Sequence, residues 1–70
     1  MKDYVDNKVF QLRKEKGITQ EQFAKAIGIT RQTVIAIEKG MYVPSLLLGF
    51  KIANFFDKSV EEIFILGNEK

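Results

Sequence analysis

Arg31, Gln32 and Thr33 stand in direct succession, and they are the residues best equipped to read another molecule. A guanidinium can donate two parallel hydrogen bonds to guanine O6 and N7. A carboxamide can pair with adenine N6 and N7. The methyls of Thr33 and Ala36 can meet the methyl of thymine. Taken alone, such a run is also an ordinary exposed helix surface. Other chemistry is scarce. The 70 residues include no His and no Cys, which removes imidazole and thiolate ligands and disulfides. No glycine-rich phosphate loop is present. Glu61 and Glu62 are neighbours in one helical turn and point in different directions. An enzyme, a metal centre and a cofactor are therefore not expected.

The elements that must hold these residues are short. Seventy residues make one domain, expected over 1–70, with a thin core and marginal stability. Such chains need support, and without Cys or metal ligands it must come from well-packed helices or a second copy. No apolar run reaches the roughly 20 residues of a membrane span. The first six residues are acidic and polar, unlike a signal peptide. A cytoplasmic location is expected. The net charge of +2 is unevenly spread: residues 1–18 carry +2, residues 19–45 carry +1 and residues 46–70 carry −1. The front is mildly basic and the tail mildly acidic.

Gly17, Gly28, Gly40, Pro44 and Gly67 punctuate the chain. Val5, Val9, Leu12 and Lys16 follow helical spacing, so a first helix is expected through this stretch, stopped at Gly17. Thr19 and Gln22 form a T-x-x-Q capping box for a second helix over about 20–27, with Phe23, Ala24 and Ile27 on its apolar face. Thr30 can cap a third over about 31–39, with Val34 and Ile37 inward. Ser45 can cap a fourth, whose apolar Leu46, Leu48, Phe50, Ile52, Ala53 and Phe56 surround most of it, as in a central core helix. Ser59 and Glu62 form an S-x-x-E box for a short fifth helix through about Phe64. Phe64, Ile65 and Leu66 can extend as a short terminal strand. The expected fold is all-α: a compact five-helix bundle.

Residues 20–40 carry the functional signal. Two short helices joined by a tight turn need a small residue where they cross, and Ala24 is there. They need a residue tolerant of positive φ at the corner, and Gly28 is there. They need apolar residues in the angle, supplied by Phe23, Ile27, Ile29, Val34 and Ile37. This stretch resembles the Cro/repressor-type helix-turn-helix, the XRE family of phage repressors and small bacterial regulators. The resemblance runs from Val9 to about Phe64. It rests on Leu12-Arg13, Ile18-Thr19-Gln20, Ala24, Gly28-Ile29, Arg31-Gln32-Thr33-Val34, Ile37-Glu38-Lys39-Gly40 and Pro44-Ser45.

The resemblance implies a lambda-repressor-like bundle that binds double-stranded DNA as a homodimer and regulates transcription, most readily as a repressor, on an inverted-repeat operator. It implies that the third helix enters the major groove, with Arg31, Gln32, Thr33 and Ala36 on base edges. It places Gln20 on the DNA backbone. Thr19 beside it, and Thr30 at the next helix start, are backbone candidates where free N–H groups can meet a phosphate. Lys39 and Tyr42 are further phosphate candidates, although Tyr42 could equally serve as a lid over the core. Arg13 would read as a basic-patch residue, but its counterpart in the family pairs with the Glu matching Glu38, so a structural ion pair is expected.

The tail carries more apolar side chains than the core can use: Leu47, Phe55, Val60, Ile63, Phe64, Ile65 and Leu66. Such a surplus marks a protein contact. A homodimer interface is therefore expected at Ile63, Phe64, Ile65 and Leu66, with the tails pairing as strands. The alternative is that Phe64–Leu66 folds back on its own core beside Tyr4 and Val5. A second functional class keeps the same fold but works through protein contacts, as an antitoxin that neutralises a partner would; for the DNA-binding reading, a protein antagonist is a candidate regulatory partner.

Overall fold

A computed structural model describes residues 2–69. Strand β1 (Lys2–Asn7) leads into helices α1 (Val9–Lys16), α2 (Gln20–Ile27), α3 (Arg31–Glu38), α4 (Leu46–Phe55) and α5 (Val60–Ile63), and β2 (Phe64–Glu69) follows. The five helices are those expected, and a two-stranded antiparallel sheet is added to them. Val5 lies opposite Leu66, Asn7 opposite Phe64, and Tyr4 opposite Gly67. Among the described residues no helix is long and apolar enough to cross a membrane.

Local chemistry sets the helix ends. The Thr19 hydroxyl accepts from the Gln22 N–H at 3.0 Å while the Gln22 side chain accepts from the Thr19 N–H at 2.8 Å. The Thr30 and Ser45 hydroxyls cap α3 and α4 with one bond each, accepting from the Thr33 and Leu48 N–H groups at 3.1 and 3.2 Å. Gly28 ends α2 with φ +78°, a conformation that costs a side-chain-bearing residue energy. At α5 the Ser59–Glu62 box closes with both bonds. The Glu62 carboxyl is held below its usual range, first by the hydrogen bond from the Ser59 backbone, then by the Ser59 side chain, with the charges of Lys58 and Lys8 adding to these. A lowered carboxylate pKa adds stability above the unfolded value and loses it as pH falls through the folded value. The acid limb of a stability–pH profile should therefore be shallower in Glu62→Gln than in the parent. Identical limbs would remove Glu62 from the acid response.

The core is built from Val9, Phe23, Ala24, Ile27, Val34, Ile37, Ile52, Ala53 and Ile63. Phe23 sits at its aromatic centre, 5.2 Å from Phe55 and 5.3 Å from Phe56 between ring centroids. Rings at this separation attract beyond their burial.

Three expectations are corrected. Val5 belongs to β1 and not to the first helix, which begins at Val9. Asn7 ends the strand and turns the chain, its Oδ1 accepting from the Val9 N–H at 3.1 Å. The fourth helix is not apolar towards the core all round: Gly49, Ile52 and Ala53 face inward, whereas Leu46 and Phe50 are 71% and 57% exposed. The bundle covers one flank of α4 and leaves the other open. Third, the tail strand pairs with β1 of its own chain, so Phe64–Leu66 does fold back beside Tyr4 and Val5.

Candidate nucleic-acid interface

Helix α3 is fixed from behind. Val34 and Ile37 are fully buried, which turns Arg31 and Gln32 to solvent and leaves Thr33 and Ala36 half-buried. The Thr30 hydroxyl caps the helix and also lies 2.9 Å from the Thr33 hydroxyl, so those two polar groups satisfy one another. Thr30, Gln32, Thr33, Ala36 and Tyr42 line one open concavity of about 370 Å³, whose wall is mostly apolar. Tyr42 thus stands beside the α3 residues rather than as a lid over the core. Arg31, Gln32, Lys39 and Tyr42 make no side-chain hydrogen bond or ion pair within the chain among the described residues. Their donors are free for a partner.

A charged clamp holds the far end of α3. Arg13 Nε donates to Glu38 Oε2 at 2.6 Å and Arg13 Nη2 to Glu38 Oε1 at 3.2 Å. The third arm, Nη1, donates to the Ile18 carbonyl at 2.9 Å. The two side chains are only 7% and 5% exposed. A two-pronged guanidinium–carboxylate pair of this kind is geometrically exacting. It ties α1 to the end of α3 and directs all three arms of the Arg13 guanidinium into the chain.

Gln20 joins this clamp, its Nε2 donating to Glu38 Oε1 at 3.1 Å. One amide hydrogen and the free backbone N–H groups of the first turn of α2 remain at that end. The Thr19 hydroxyl is occupied by its cap. Sequence reasoning passed over Asn7. Its Nδ2 donates to the Ile37 carbonyl at 2.9 Å while its Oδ1 receives the Val9 N–H. One side chain thereby joins β1, the start of α1 and the last turn of α3. The available signal was the Asn itself, a residue whose side chain readily bonds the backbone two residues on and so turns the chain.

The tail residues do not form one surface. Ile63 is fully buried and serves the core, which corrects its placement at an interface. Phe64 is half-buried against that core. Ile65 and Leu66 are neighbours in a strand and so point to opposite faces of the sheet. Ile65 lines a polar groove with Lys8, Gln11, Glu15 and Glu61. Leu66, opposite Val5, is 74% exposed. Among the described residues no cluster of acidic side chains could hold a metal ion.

The helix-turn-helix family model matches residues 9–63. An uncharacterised HTH-type transcriptional regulator of Methanocaldococcus jannaschii is 52% identical over 64 residues, covering 91% of this chain and 97% of that protein. The CTXphi phage transcriptional repressor RstR of Vibrio cholerae is 35% identical over 57 residues, covering 81% of this chain and 51% of that protein. Among solved structures, the restriction-modification controller protein C.AhdI of Aeromonas hydrophila superposes with a TM-score of 0.71 at 33% identity, over 79% of this chain and 80% of that one. The chain therefore belongs to the helix-turn-helix family of transcriptional regulators, DNA-binding proteins rather than enzymes.

Proposed function

We propose that the chain is a cytoplasmic, sequence-specific repressor that binds an inverted-repeat operator as a homodimer, with α3 in the major groove. The observation that carries this reading is the α3 surface. It offers unspent donors on Arg31 and Gln32 beside an apolar concavity lined by Thr30, Thr33, Ala36 and Tyr42. Donors and methyl-sized apolar surface on one helix face are what base edges in the major groove require. Arg31, Gln32, Thr33 and Ala36 are the base readers. Lys39, the first turn of α2 with Thr19 and Gln20, and the start of α3 at Thr30 hold phosphates. Tyr42 borders both groups. A dimer is supported by arithmetic: one α3 reads only a few base pairs, and two on a two-fold axis roughly double the recognition energy. The similarity to RstR, a protein named as a repressor, supports repression, as does steric logic. A compact domain seated on a promoter excludes polymerase.

The test is selection from a random pool of duplex DNA. An inverted repeat should emerge, with half-sites about 34 Å apart, one turn of DNA. Recovery of no sequence preference would overturn the reading. A second expectation separates phosphate from base contacts. Lys39→Ala should weaken binding to all duplexes alike and lower the salt slope by about one. Titrations at several salt concentrations read this directly, and a loss confined to the selected sequence would make Lys39 a base reader.

A further inference from the structure

We infer that the apolar groove above Gly49 is the seat of a second copy of this chain, which inserts its Phe50 ring there. The inference rests on the dimer reading above and moves its two-fold axis from the tail strand to the open flank of α4.

Gly49 has no internal reason to be a glycine. It is the fourth residue of α4, in the run Leu46-Leu47-Leu48-Gly49-Phe50. A glycine there weakens a helix by about 1 kcal/mol relative to alanine. Its φ is not positive, so no turn demands it. Its backbone is buried, yet a Cβ built on it would meet nothing within 4 Å. Neither conformation nor packing within the chain accounts for the residue. Close approach by something outside the chain would.

The space beside Gly49 is a groove of about 170 Å³, lined by Val5, Val43, Pro44, Leu46, Val60 and Phe64, with Ser45 as its only polar neighbour among the described residues. An apolar cavity of about 150 Å³ accepts a benzene ring, so the groove has room for a phenylalanine side chain. Its borders carry the exposed apolar side chains of Val43, Leu46, Phe50 and Leu66. Leu46, Phe50 and Leu66 are 71%, 57% and 74% exposed, and a contiguous apolar patch of this kind marks a protein contact.

A second copy is the occupant that fits. The patch holds a hole over Gly49 and a projecting ring at Phe50, adjacent on one helix. A two-fold rotation about an axis beside α4 can place each ring in the other copy's groove, which is the self-complementarity a symmetric dimer needs. The lining contains no charged residue, so two chains of net charge +2 can meet there without like charges facing one another. A charged peptide would find no counter-charge. The groove also shares no residue with the α3 concavity. Tyr42 lines the one and its neighbour Val43 lines the other, so the short loop before α4 connects the pairing surface to the reading surface.

The test is sedimentation of the full chain at micromolar concentration, with operator titrations alongside. The parent should be a dimer. Gly49→Leu adds a side chain whose Cβ meets nothing within 4 Å in the single chain and whose bulk occupies the groove; it should weaken self-association by roughly 30-fold or more, the effect of a hot-spot loss. Binding to a single half-site should be unchanged, and the full operator should be bound more weakly. Phe50→Lys, at an exposed position, should dissociate the dimer as well, and decides the matter if Gly49→Leu fails to fold. Ile65→Asp, on the other face of the sheet, should leave the dimer intact. A parent dimer that survives both α4 variants overturns the inference while leaving dimerisation standing. A monomeric parent overturns both.

Discussion

Glu38→Ala is expected to cost the fold about 3–5 kcal/mol, the penalty for leaving a buried charge without its partner. The size follows from the surroundings. Arg13 and Glu38 are almost wholly buried, and the carboxylate answers two guanidinium nitrogens and the Gln20 amide at once. Without it, Arg13 keeps a hydrogen bond to the Ile18 carbonyl and its place 5.4 Å from the Phe10 ring centroid, but no counter-charge among the described residues. A small domain has little stability to lose, and at this size each kcal/mol moves the melting temperature by about 4–8 °C. A fall of more than about 12 °C should be visible by thermal circular dichroism. DNA binding should fail in proportion to unfolding and return on cooling. Replacing both partners with apolar residues of similar volume should recover much of the loss, because no charge is then stranded. An alanine variant as stable as the parent but unable to bind DNA would mean that Glu38 acts on the recognition surface itself.

This clamp also shows where sequence reading has its limits. Helix ends were legible because caps are local: Thr19 with Gln22, Thr30, Ser45, and Ser59 with Glu62 each act within four residues. The turn at Gly28 was legible for the same reason. The pairing of Arg13 with Glu38, 25 residues apart, was accessible only through resemblance, since composition would assign Arg13 to a basic patch. Strand β1 was not legible. Val5 and Val9 happen to fall at helical spacing, and the strand is stabilised by β2 at the other end of the chain. A six-residue segment carries no trace of so distant a partner. Nor could the sequence show which apolar residues of α4 lie under cover. Leu46 and Ile52 are alike in hydrophobicity, and only the placement of the other helices leaves one exposed and the other buried. Leu47, Ile65 and Leu66 are exposed, as the surplus led one to expect, whereas Ile63 went to the core and alternation in β2 separated Ile65 from Leu66.

Arg31→Ala and Gln32→Ala should each cost about 1–3 kcal/mol on the selected operator and relax the preference at the base each one reads. Both side chains are exposed and unpaired among the described residues, so their removal should leave the stability within about 0.5 kcal/mol of the parent's. That separates them from Glu38→Ala, where fold and binding fall together. The two should also differ from one another. Arginine adds a charge that all duplexes attract, so Arg31→Ala should lower non-specific affinity and salt dependence slightly as well as specificity. Glutamine carries no charge, so Gln32→Ala should act on the selected sequence alone. In a symmetric dimer each substitution is made twice on the operator, and the measured loss should approach twice that on an isolated half-site. Competition titrations with the selected duplex and with single-base variants resolve all three quantities. If both substitutions leave cognate affinity and base preference unchanged while DNA binding persists, α3 is not the helix that reads the groove.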